Sequence, residues 1–377
     1  MRINIVLNSY PRESETFLTS WINNLLEAGY NIRLVLMNKT RIKKHNYKFN
    51  GATHIFSKSP MIIMGAFLNV LKGNSIKTAY YMSLFGYARP HLVHFAYTSI
   101  PIMSLDSLIE LKKSGLKLMV SCRGHSENVR PYLSADRYEH LKKLFCIVDK
   151  VHCVAREMEN RMMSDFGLEK SKSFVNEPAI HLNLFEYKQK SKLSSTLVII
   201  TNGRLVSLKG YVFSLLAVKR LISEGFNLEY RIIGNGDEKD NILFYINRLN
   251  LTNHVRLLGS IEPHEVMKEV SNADIYVACT LNEGLSNAVI ESMAVGTPVI
   301  TTNVNGMPEL VDDGINGLVV NPFSDVEIYN GIKRLINDSE LYMRFSIEGR
   351  KKVEEKFDIR RQNKIFIEEY VNVLTCV

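Results

Sequence analysis

Two glutamates lie on either side of a turn that could bind a phosphate group in the second half of the chain. Residues 282–298 read NEGLSNAVIESMAVGTP and follow the strand-like run ADIYVAC. The turn leads into a helical pattern, so its backbone amides are expected at a helix N-terminus, where anions bind. These amides belong to Leu285, Ser286 and Asn287. Glu283 precedes the helix and Glu291 lies about two turns into it. Such a carboxylate pair suits a nucleotide-sugar, because one acid can accept hydrogen bonds from sugar hydroxyls and the other from ribose hydroxyls. Either glutamate taken alone could be a solvated helix residue.

A second segment places two cations directly after another strand-like run. Residues 202–210 read NGRLVSLKG and follow LVIIT. Gly203 lets the backbone approach a ligand closely, Arg204 offers a planar fork to phosphate oxygens, and Lys209 offers a point charge. Two cations at the end of a strand could neutralise a diphosphate, including one that departs as a leaving group. By itself the segment could also be a surface loop with incidental charges.

Alternating apolar runs and helical patterns predict the elements that position these residues. Short apolar runs indicate strands at 3–7, 32–37, 92–95, 116–121 and 151–154, and again at 197–201, 228–233, 255–258, 274–278, 298–301 and 317–320. Helical spacing lies between them, which predicts βαβ units and parallel sheets. The polar run EYKQKSKLSS at 186–195 indicates a linker. We therefore expect two doubly wound α/β domains, 1–190 and 191–358, and a final amphipathic helix over 359–377.

Length and composition limit the class of protein. A chain of 377 residues exceeds the size of one ordinary core, so two domains with a cleft between them are expected. Hydrophobic residues make up 46% and charged residues 23%, which excludes disordered, collagen-like and coiled-coil chains. The five cysteines show no CxxC spacing and favour a reducing cytosol over a disulfide or zinc framework. Neither a signal peptide nor a membrane span of about 18 apolar residues is seen.

Charge is distributed unevenly between the two halves. The net charge of +8 divides into 27 − 15 = +12 up to residue 190 and 20 − 24 = −4 after it. Residues 28–105 contain ten Lys or Arg residues and no Asp or Glu. This asymmetry predicts an anionic partner of the first half: a membrane surface, a phosphorylated substrate or nucleic acid. No pattern of a nucleic-acid module is recognised, so no nucleic-acid partner is expected.

One apolar helical pattern lies inside the acid-free stretch. Residues 60–72 read PMIIMGAFLNVLK, with Lys58, Lys72 and Lys77 at its flanks. This arrangement favours peripheral attachment to the inner face of the plasma membrane by a cytoplasmic protein. A buried core helix with a basic rim is the alternative.

The motifs of the second half resemble, in order and spacing, the carboxy-terminal half of retaining glycosyltransferases of family four. The resemblance runs through GRLVSLKG, IIGNGDE, VRLLGSIEPHEV and the segment from ADIYVAC to VVNP, over roughly residues 197–325. It implies a GT-B fold: two Rossmann-like domains, an interdomain cleft, a nucleotide-sugar held mainly by the second domain, and a C-terminal helix that crosses back to the first.

The resemblance also implies roles for individual residues. Glu291 would bind the ribose, Glu283 the donor-sugar hydroxyls, and Arg204 and Lys209 the diphosphate. Arg204, Lys209 and Glu283 are thus the catalytic candidates. The remaining donor-binding candidates are Gly203, Asn235, Ser260, Ile261, Leu285, Ser286, Asn287 and Glu291, with Ser260 and Ile261 flanking the base.

The first half resembles polysaccharide-building members of the family more loosely. The opening YPRESETFLTSW contains a Ser-Glu-Thr-Phe turn, so Ser14, Glu15 and Thr16 are candidate contacts to the acceptor or the sugar. The segment VSCRGHSENV resembles a loop that usually reads His-Gly-x-Asp, and Arg123 stands at its histidine position. His125 could contact the donor sugar, and Arg123 a phosphate or an anionic sugar. His94 is expected to be a core histidine.

The reaction implied is transfer of a hexose, with retention, from a UDP- or GDP-sugar to a glycan or lipid-linked acceptor. Surface polysaccharide assembly in bacteria, such as that of a capsule or lipopolysaccharide, is the expected setting. No cofactor and no metal are expected, since no DxD-like triplet is found at a strand end. Two alternatives stay open: a GT-B-fold epimerase or phosphorylase, and a non-enzymatic protein that binds anionic surfaces.

Overall fold

The chain folds as two units, each with its own sheet and core. The computed structural model describes residues 1–11, 16–38, 49 and 51–375. Unit 1 consists of Met1–Glu177 and Arg360–Val377, and unit 2 of Pro178–Ile359. Both contain parallel sheets with intervening helices, so the predicted α/β fold class is confirmed.

The passage from unit 1 to unit 2 lies before the polar segment 186–195 and before residue 190, where the sequence suggested a boundary. The backbone N–H of Lys188 donates to the carbonyl of Val295 at 3.1 Å. The ammonium of Lys190 donates to the carbonyl of Ser271 at 2.6 Å. These bonds attach the polar segment to unit 2. Its polar composition therefore does not mark a free linker between the two units.

Unit 1 is built around a seven-stranded parallel sheet with strand order β3-β2-β1-β4-β5-β6-β7 among the described residues. Its elements are β1 (Arg2–Leu7), α1 (Thr16–Glu27), β2 (Asn31–Leu36), β3 (Thr53–Phe56), α2 (Pro60–Leu71), α3 (Ile76–Phe85), β4 (Leu92–Phe95), α4 (Leu105–Lys113), β5 (Lys117–Cys122), α5 (His125–Asn128), α6 (Ala135–Ile147), β6 (Lys150–Cys153), α7 (Arg156–Phe166) and β7 (Ser173–Val175). The central strands are continuous apolar runs because helices cover both faces of a parallel sheet. All of β4, for example, is buried.

Unit 2 repeats this winding with a six-stranded parallel sheet of order β10-β9-β8-β11-β12-β13. Its elements are β8 (Leu197–Asn202), α8 (Tyr211–Ser223), β9 (Leu228–Ile233), α9 (Lys239–Arg248), β10 (Val255–Gly259), α10 (Pro263–Asn272), β11 (Ile275–Ala278), α11 (Asn287–Ala294), β12 (Val299–Thr302), α12 (Met307–Leu310), β13 (Leu318–Val320), α13 (Asp325–Asn337) and α14 (Ser339–Lys356). The last helix, α15 (Ile359–Thr375), leads back into unit 1. There Phe366, Tyr370 and Val373 join the core.

A buried chain of hydrogen bonds ties α15 to the sheet of unit 1. His152 Nε2 faces the carbonyl oxygen of Asn176 at 2.8 Å and must donate to it. His152 Nδ1 therefore accepts from Ser121 Oγ at 2.9 Å, and Ser121 in turn accepts from His94 Nε2 at 2.9 Å. His94 Nδ1 is left to accept from the hydroxyl of Tyr370 at 2.7 Å. With these assignments, each of the four hydrogen bonds from Asn176 to Tyr370 has one donor and one acceptor.

His94 and His152, the two histidines in this series of hydrogen bonds, are neutral in the folded protein. Burial lowers the pKa of His94 well below its ordinary value, and burial lowers that of His152 to about 3, with Arg123 contributing to both shifts. His94 is thus the core histidine that the sequence predicted. Within the described part of the chain, no helix has both the length and the hydrophobicity to cross a membrane.

Candidate functional site

The strand order of unit 2 reverses between β8 and β11, and the loops that follow these two strands meet there. Ligands of doubly wound sheets bind at such a switch point, outside the carboxyl ends of the strands. The N–H of Leu281 donates to the carbonyl of Leu208 at 2.7 Å, and Thr280 Oγ1 donates to the same oxygen at 3.1 Å. The two predicted motifs, 202–210 and 282–298, are therefore brought together by direct backbone contact.

Two glycines make this close approach possible. Gly210 adopts a φ of 62°, and a Cβ there would lie 2.2 Å from the carbonyl oxygen of Cys279. Gly234, in the loop after β9, adopts a φ of 137°, and a Cβ there would lie 1.8 Å from the carbonyl oxygen of Gly203. Any other residue at either position would push the loops apart. Three loops thus converge on one edge of the sheet.

An ion pair joins the two central loops. The ammonium of Lys209 contacts the carboxylate of Glu283, and each side chain is about a quarter exposed, 23% and 24% respectively. Arg204 lies exposed in the same loop as Lys209, and its guanidinium makes no ion pair with another described residue. Lys209 and Glu283 thus contact each other across the two loops, and the exposed Arg204 guanidinium in the first loop is still available to an anion.

The N-terminus of α11 presents backbone donors beside this ion pair. The N–H groups of Leu285, Ser286 and Asn287 donate to no other described residue. Ser286 is the N-cap residue, and its side chain makes no capping bond. Unsatisfied N–H groups at a helix N-terminus carry partial positive charge and favour an anion.

Glu291 is half-buried in the second turn of α11, and this burial raises the pKa of its carboxyl to about 7. Burial also raises the pKa of the Tyr276 phenol on β11, and the charges of Glu291 and Glu283 add to this shift. The Tyr276 hydroxyl donates to the carbonyl of Asn202 at 3.3 Å.

Three asparagines at the same loops carry a feature that sequence reasoning missed. The side-chain oxygens of Asn202, Asn282 and Asn287 are buried without a hydrogen-bond partner among the described residues. Buried acceptors are normally satisfied, so these three are candidates to accept hydrogen bonds from a ligand. Asn287 was selected from the sequence only for its backbone amide, and asparagine in a loop usually signals a turn.

The remaining donor-site candidates lie at the ends of β9 and β10. Asn235 is exposed; its carbonyl accepts from the N–H of Leu205 at 2.9 Å, and its side chain accepts from the N–H of Gly236 at 2.9 Å. Asn235 therefore fixes the conformation of its loop. Ser260 is exposed and Ile261 half-buried directly after β10.

In unit 1, a buried carboxylate organises the loop that carries Arg123. Glu127 accepts from the N–H groups of Arg123 and Gly124, both at 3.0 Å, and from the hydroxyl of Thr98. Burial raises its pKa, and these hydrogen bonds oppose that shift. The loop after β5 is thereby joined to the end of β4.

Arg123 is half-buried and strongly positioned. Its Nε donates to the carbonyl of Ala96 at 3.0 Å, and its guanidinium lies 5.8 Å from the ring centre of Trp21. His125 is exposed at the start of α5, and Thr16 is the first residue of α1. Ser14 and Glu15 lie outside the described residues. Among the described side chains, no group of three His, Cys, Asp or Glu has the arrangement of a metal site.

Comparison with known proteins identifies the pattern in unit 2. Residues 185–352 match the model of the family described as glycosyl transferases group 1. Over nearly the full length, the chain is 23% identical to the amylovoran biosynthesis glycosyltransferase AmsK of Erwinia amylovora, with 95% of this chain and 96% of that protein covered. It is 33% identical to the capsular polysaccharide biosynthesis glycosyltransferase CapM of Staphylococcus aureus, over 46% of each chain.

Solved structures extend the likeness to both units. A glycosyltransferase from Rickettsia africae superimposes with a TM-score of 0.79 at 18% identity, covering 100% of this chain and 99% of that one. Anabaena HepE in complex with UDP gives 0.79 at 15% identity, covering 98% and 99%. These likenesses confirm the predicted GT-B fold. The match to the group 1 glycosyltransferase model covers residues 185–352, all of which lie in unit 2.

Proposed function

We propose that this protein is a retaining hexosyltransferase of surface polysaccharide assembly. It would transfer a sugar from a UDP- or GDP-sugar to a hydroxyl of a glycan or a lipid-linked acceptor. The names of AmsK and CapM, which refer to amylovoran and capsular polysaccharide, support this setting. The complex of HepE with UDP supports a uridine nucleotide as the first donor to test.

One observation carries the proposal: the Lys209–Glu283 ion pair lies at the switch point of unit 2, beside the unsatisfied amides of α11. This arrangement suits a donor with an anionic half and a hydroxyl-rich half. The diphosphate would bind the α11 amides, Arg204 and Lys209, while Glu283 would accept hydrogen bonds from the sugar. Glu291 would bind the ribose, and Ser260 and Ile261 would flank the base.

The proposed chemistry needs no protein nucleophile. The bond between the anomeric carbon and the β-phosphate oxygen breaks, and the acceptor oxygen bonds to the same face of that carbon. The acceptor proton passes to the departing diphosphate. Arg204, Lys209 and the helix amides would lower the barrier by stabilising the charge that develops on the diphosphate.

We further propose that the reaction is independent of metal ions, because Arg204, Lys209 and the α11 amides can supply the positive charge that a metal would otherwise provide. Turnover should therefore persist in EDTA. In unit 1, Arg123 and His125 remain the candidates for contact with the acceptor or the sugar, together with Ser14, Glu15 and Thr16.

Nucleotide binding and donor hydrolysis test the proposal. Calorimetry with UDP, GDP and their sugars should show binding of at least one, and slow hydrolysis of that donor should follow. Lys209→Ala should lower turnover by about two to three orders of magnitude, the size of effect expected for removal of one charge-stabilising group. The folded state should persist, as judged by circular dichroism.

The matched control is Lys239→Ala, which removes an exposed lysine at the start of α9 in the same unit. This variant should keep wild-type turnover. Wild-type turnover in Lys209→Ala, or failure of all the nucleotides to bind, would defeat the assignment. Measuring the anomeric configuration of the product by NMR decides between retention and inversion.

A further inference from the structure

Helix α2 exposes an apolar surface that a buried core helix would not show. Its sequence, PMIIMGAFLNVL, contains no charged residue, and only Ile62 is buried. Six large apolar side chains are between 52% and 68% exposed: Met61, Ile63, Met64, Phe67, Leu68 and Leu71. Contiguous exposed apolar surface of this kind marks an interaction site in a folded protein. The sequence alternative of a buried core helix is therefore wrong.

Helix α2 turns its apolar face toward solvent, whereas an ordinary surface helix turns it toward the core. At 100° per residue, the six exposed side chains fall within an arc of about 160°, and Ile62 lies opposite its centre. Gly65 and Asn69 lie on the side toward α3: a Cβ on Gly65 would be 3.1 Å from Ser83 Oγ, and Asn69 Nδ2 donates to that atom at 2.9 Å. Ile62, Gly65 and Asn69 thus lie on the side that packs on the protein, and the six exposed apolar side chains face outward.

Positive charge borders this surface at both ends. Lys58 precedes α2, Lys72 follows it, and Lys77 lies in the first turn of α3; all three are exposed. Ile76, between the last two lysines in the sequence, is a further apolar side chain and is 79% exposed. Residues 28–105 contain no acidic side chain. An apolar face that begins and ends next to exposed lysines is complementary to lipid chains beneath anionic headgroups.

We propose that α2 is a membrane-insertion surface that attaches this protein to an anionic lipid leaflet. Its twelve residues span about 18 Å, less than the roughly 30 Å of a bilayer core, so the helix lies along the interface. The six apolar side chains enter the boundary between headgroups and acyl chains, while Lys58, Lys72 and Lys77 contact lipid phosphates. This attachment does not depend on the donor-site assignment in unit 2.

Co-sedimentation with vesicles tests the proposal. Wild-type protein should bind phosphatidylcholine vesicles that contain phosphatidylglycerol, and added salt should weaken the binding. Met64→Glu combined with Phe67→Glu should lower the bound fraction by about tenfold or more, because two charges then lie in the inserted face. Lys72→Gln combined with Lys77→Gln should weaken binding to anionic vesicles and reduce its dependence on salt.

A matched control changes exposed apolar side chains elsewhere. Leu243→Glu combined with Phe244→Glu on α9, where the side chains are 38% and 60% exposed, should leave vesicle binding unchanged. Phe67→Trp gives a reporter that keeps the fold: its fluorescence should shift to the blue with anionic vesicles. UDP binding should be the same in all these variants, so failure of the donor assignment is seen separately.

Two results would overturn the proposal. One is an absence of wild-type binding to anionic vesicles at low salt, together with an unchanged emission spectrum of the Phe67→Trp variant. The other is light scattering that shows a dimer which the Met64 and Phe67 double variant dissociates, without vesicle binding. A second copy of the chain would then be the partner of α2.

Discussion

Burial of the Glu291 carboxyl makes the stability of the folded protein depend on pH. Its pKa rises from 4.5 to about 7, so the folded protein holds a proton that the unfolded chain releases at lower pH. The resulting stabilisation is fully present below pH 4.5 and is lost as the pH rises through 7. An ionised carboxylate, however, is the better acceptor for ribose hydroxyls. In the proposed complex, the ionised Glu291 would therefore bind ribose at a pH where this stabilisation has been lost.

Glu291→Gln should remove this dependence on pH. In the unliganded protein, the stability of the variant relative to wild type should increase from about pH 5 to about pH 8, by up to about 3 kcal/mol from the size of the pKa shift. Thermal unfolding at several pH values measures the difference. UDP affinity should rise with pH more steeply in wild type than in the variant. Parallel curves for the two proteins would show that Glu291 does not titrate in this range.

Gly210→Ala should separate the loops that form the proposed donor site. The new Cβ would meet the carbonyl oxygen of Cys279 at 2.2 Å, in addition to the strain of a left-handed φ. We expect UDP binding to fall by more than about tenfold and stability to fall by more than the roughly 1 kcal/mol due to the φ angle alone. Calorimetry and thermal unfolding measure both effects.

Gly225→Ala is the control for this substitution. Gly225 has a φ of 89°, and a Cβ there meets nothing within 4 Å. It should show the cost of the left-handed backbone without the clash, and UDP binding should be retained. Equal losses of stability in the two variants would mean that the loops move apart freely.

Motif order let the sequence select candidate residues for a donor site, but it did not reveal that Lys209 and Glu283 form an ion pair. The run after each strand pointed to Lys209 and Glu283 separately, because parallel strands share one carboxyl edge. Their ion pair depends on Gly210, whose close contact with Cys279 involves residues far apart in the chain. Likewise, nothing in a single sequence shows that the Asn202 side-chain oxygen lacks a partner.

Among the helices and strands, the hydrogen-bond chain from α15 to β6 links four elements of unit 1. Its neutral histidines have lowered pKa values, so their contribution to stability is present above the ordinary histidine pKa and is lost as the pH falls. Acid should therefore weaken unit 1 from about pH 6.5 downward. This sign is opposite to that of Glu291 in unit 2.

Tyr370→Phe should break this chain at its helix end. The substitution removes the donor to His94 Nδ1 and leaves a buried acceptor unsatisfied, at a cost of about 1–3 kcal/mol. Trp21 is the single tryptophan and packs 4.7 Å from the His94 ring and 5.4 Å from the Phe366 ring, so its fluorescence in urea reports on unit 1. Tyr80→Phe, at a half-buried hydroxyl, should cost less. Equal costs would argue against the chain as a stabilising unit.

Strands with continuous apolar runs were predicted well. The predicted bounds of β4 and β9 match the structure, and those of β1, β5 and β8 differ by one residue at one or both ends. The edge strands β3 and β7 were missed because they have only four and three residues and mix polar with apolar types. Burial on one side only leaves too weak a pattern for such short segments.

For the whole chain, the position of α15 makes unit 1 depend on residues that follow unit 2 in the sequence. A chain ending at Ile359 would lack Phe366, Tyr370 and Val373 of the unit 1 core. We expect Trp21 emission to shift to the red and hydrogen exchange in the strands of unit 1 to increase. The reason is that the apolar surface under α15 and the acceptor nitrogen of His94 become exposed to water. Unit 2 should keep its protection and its affinity for UDP. A buried Trp21 in the shortened chain would contradict this dependence.

The same helix sets an order of events during protein synthesis. The first part of unit 1 leaves the ribosome before unit 2, and α15 is made only after all of Pro178–Ile359. At roughly 5–20 residues per second, the early strands wait about 10–40 s for their covering helix. During that interval His94 and Trp21 lack their contacts with Tyr370 and Phe366 of α15. Chaperone binding and early proteolysis should therefore concentrate on unit 1, while unit 2 completes its core without delay.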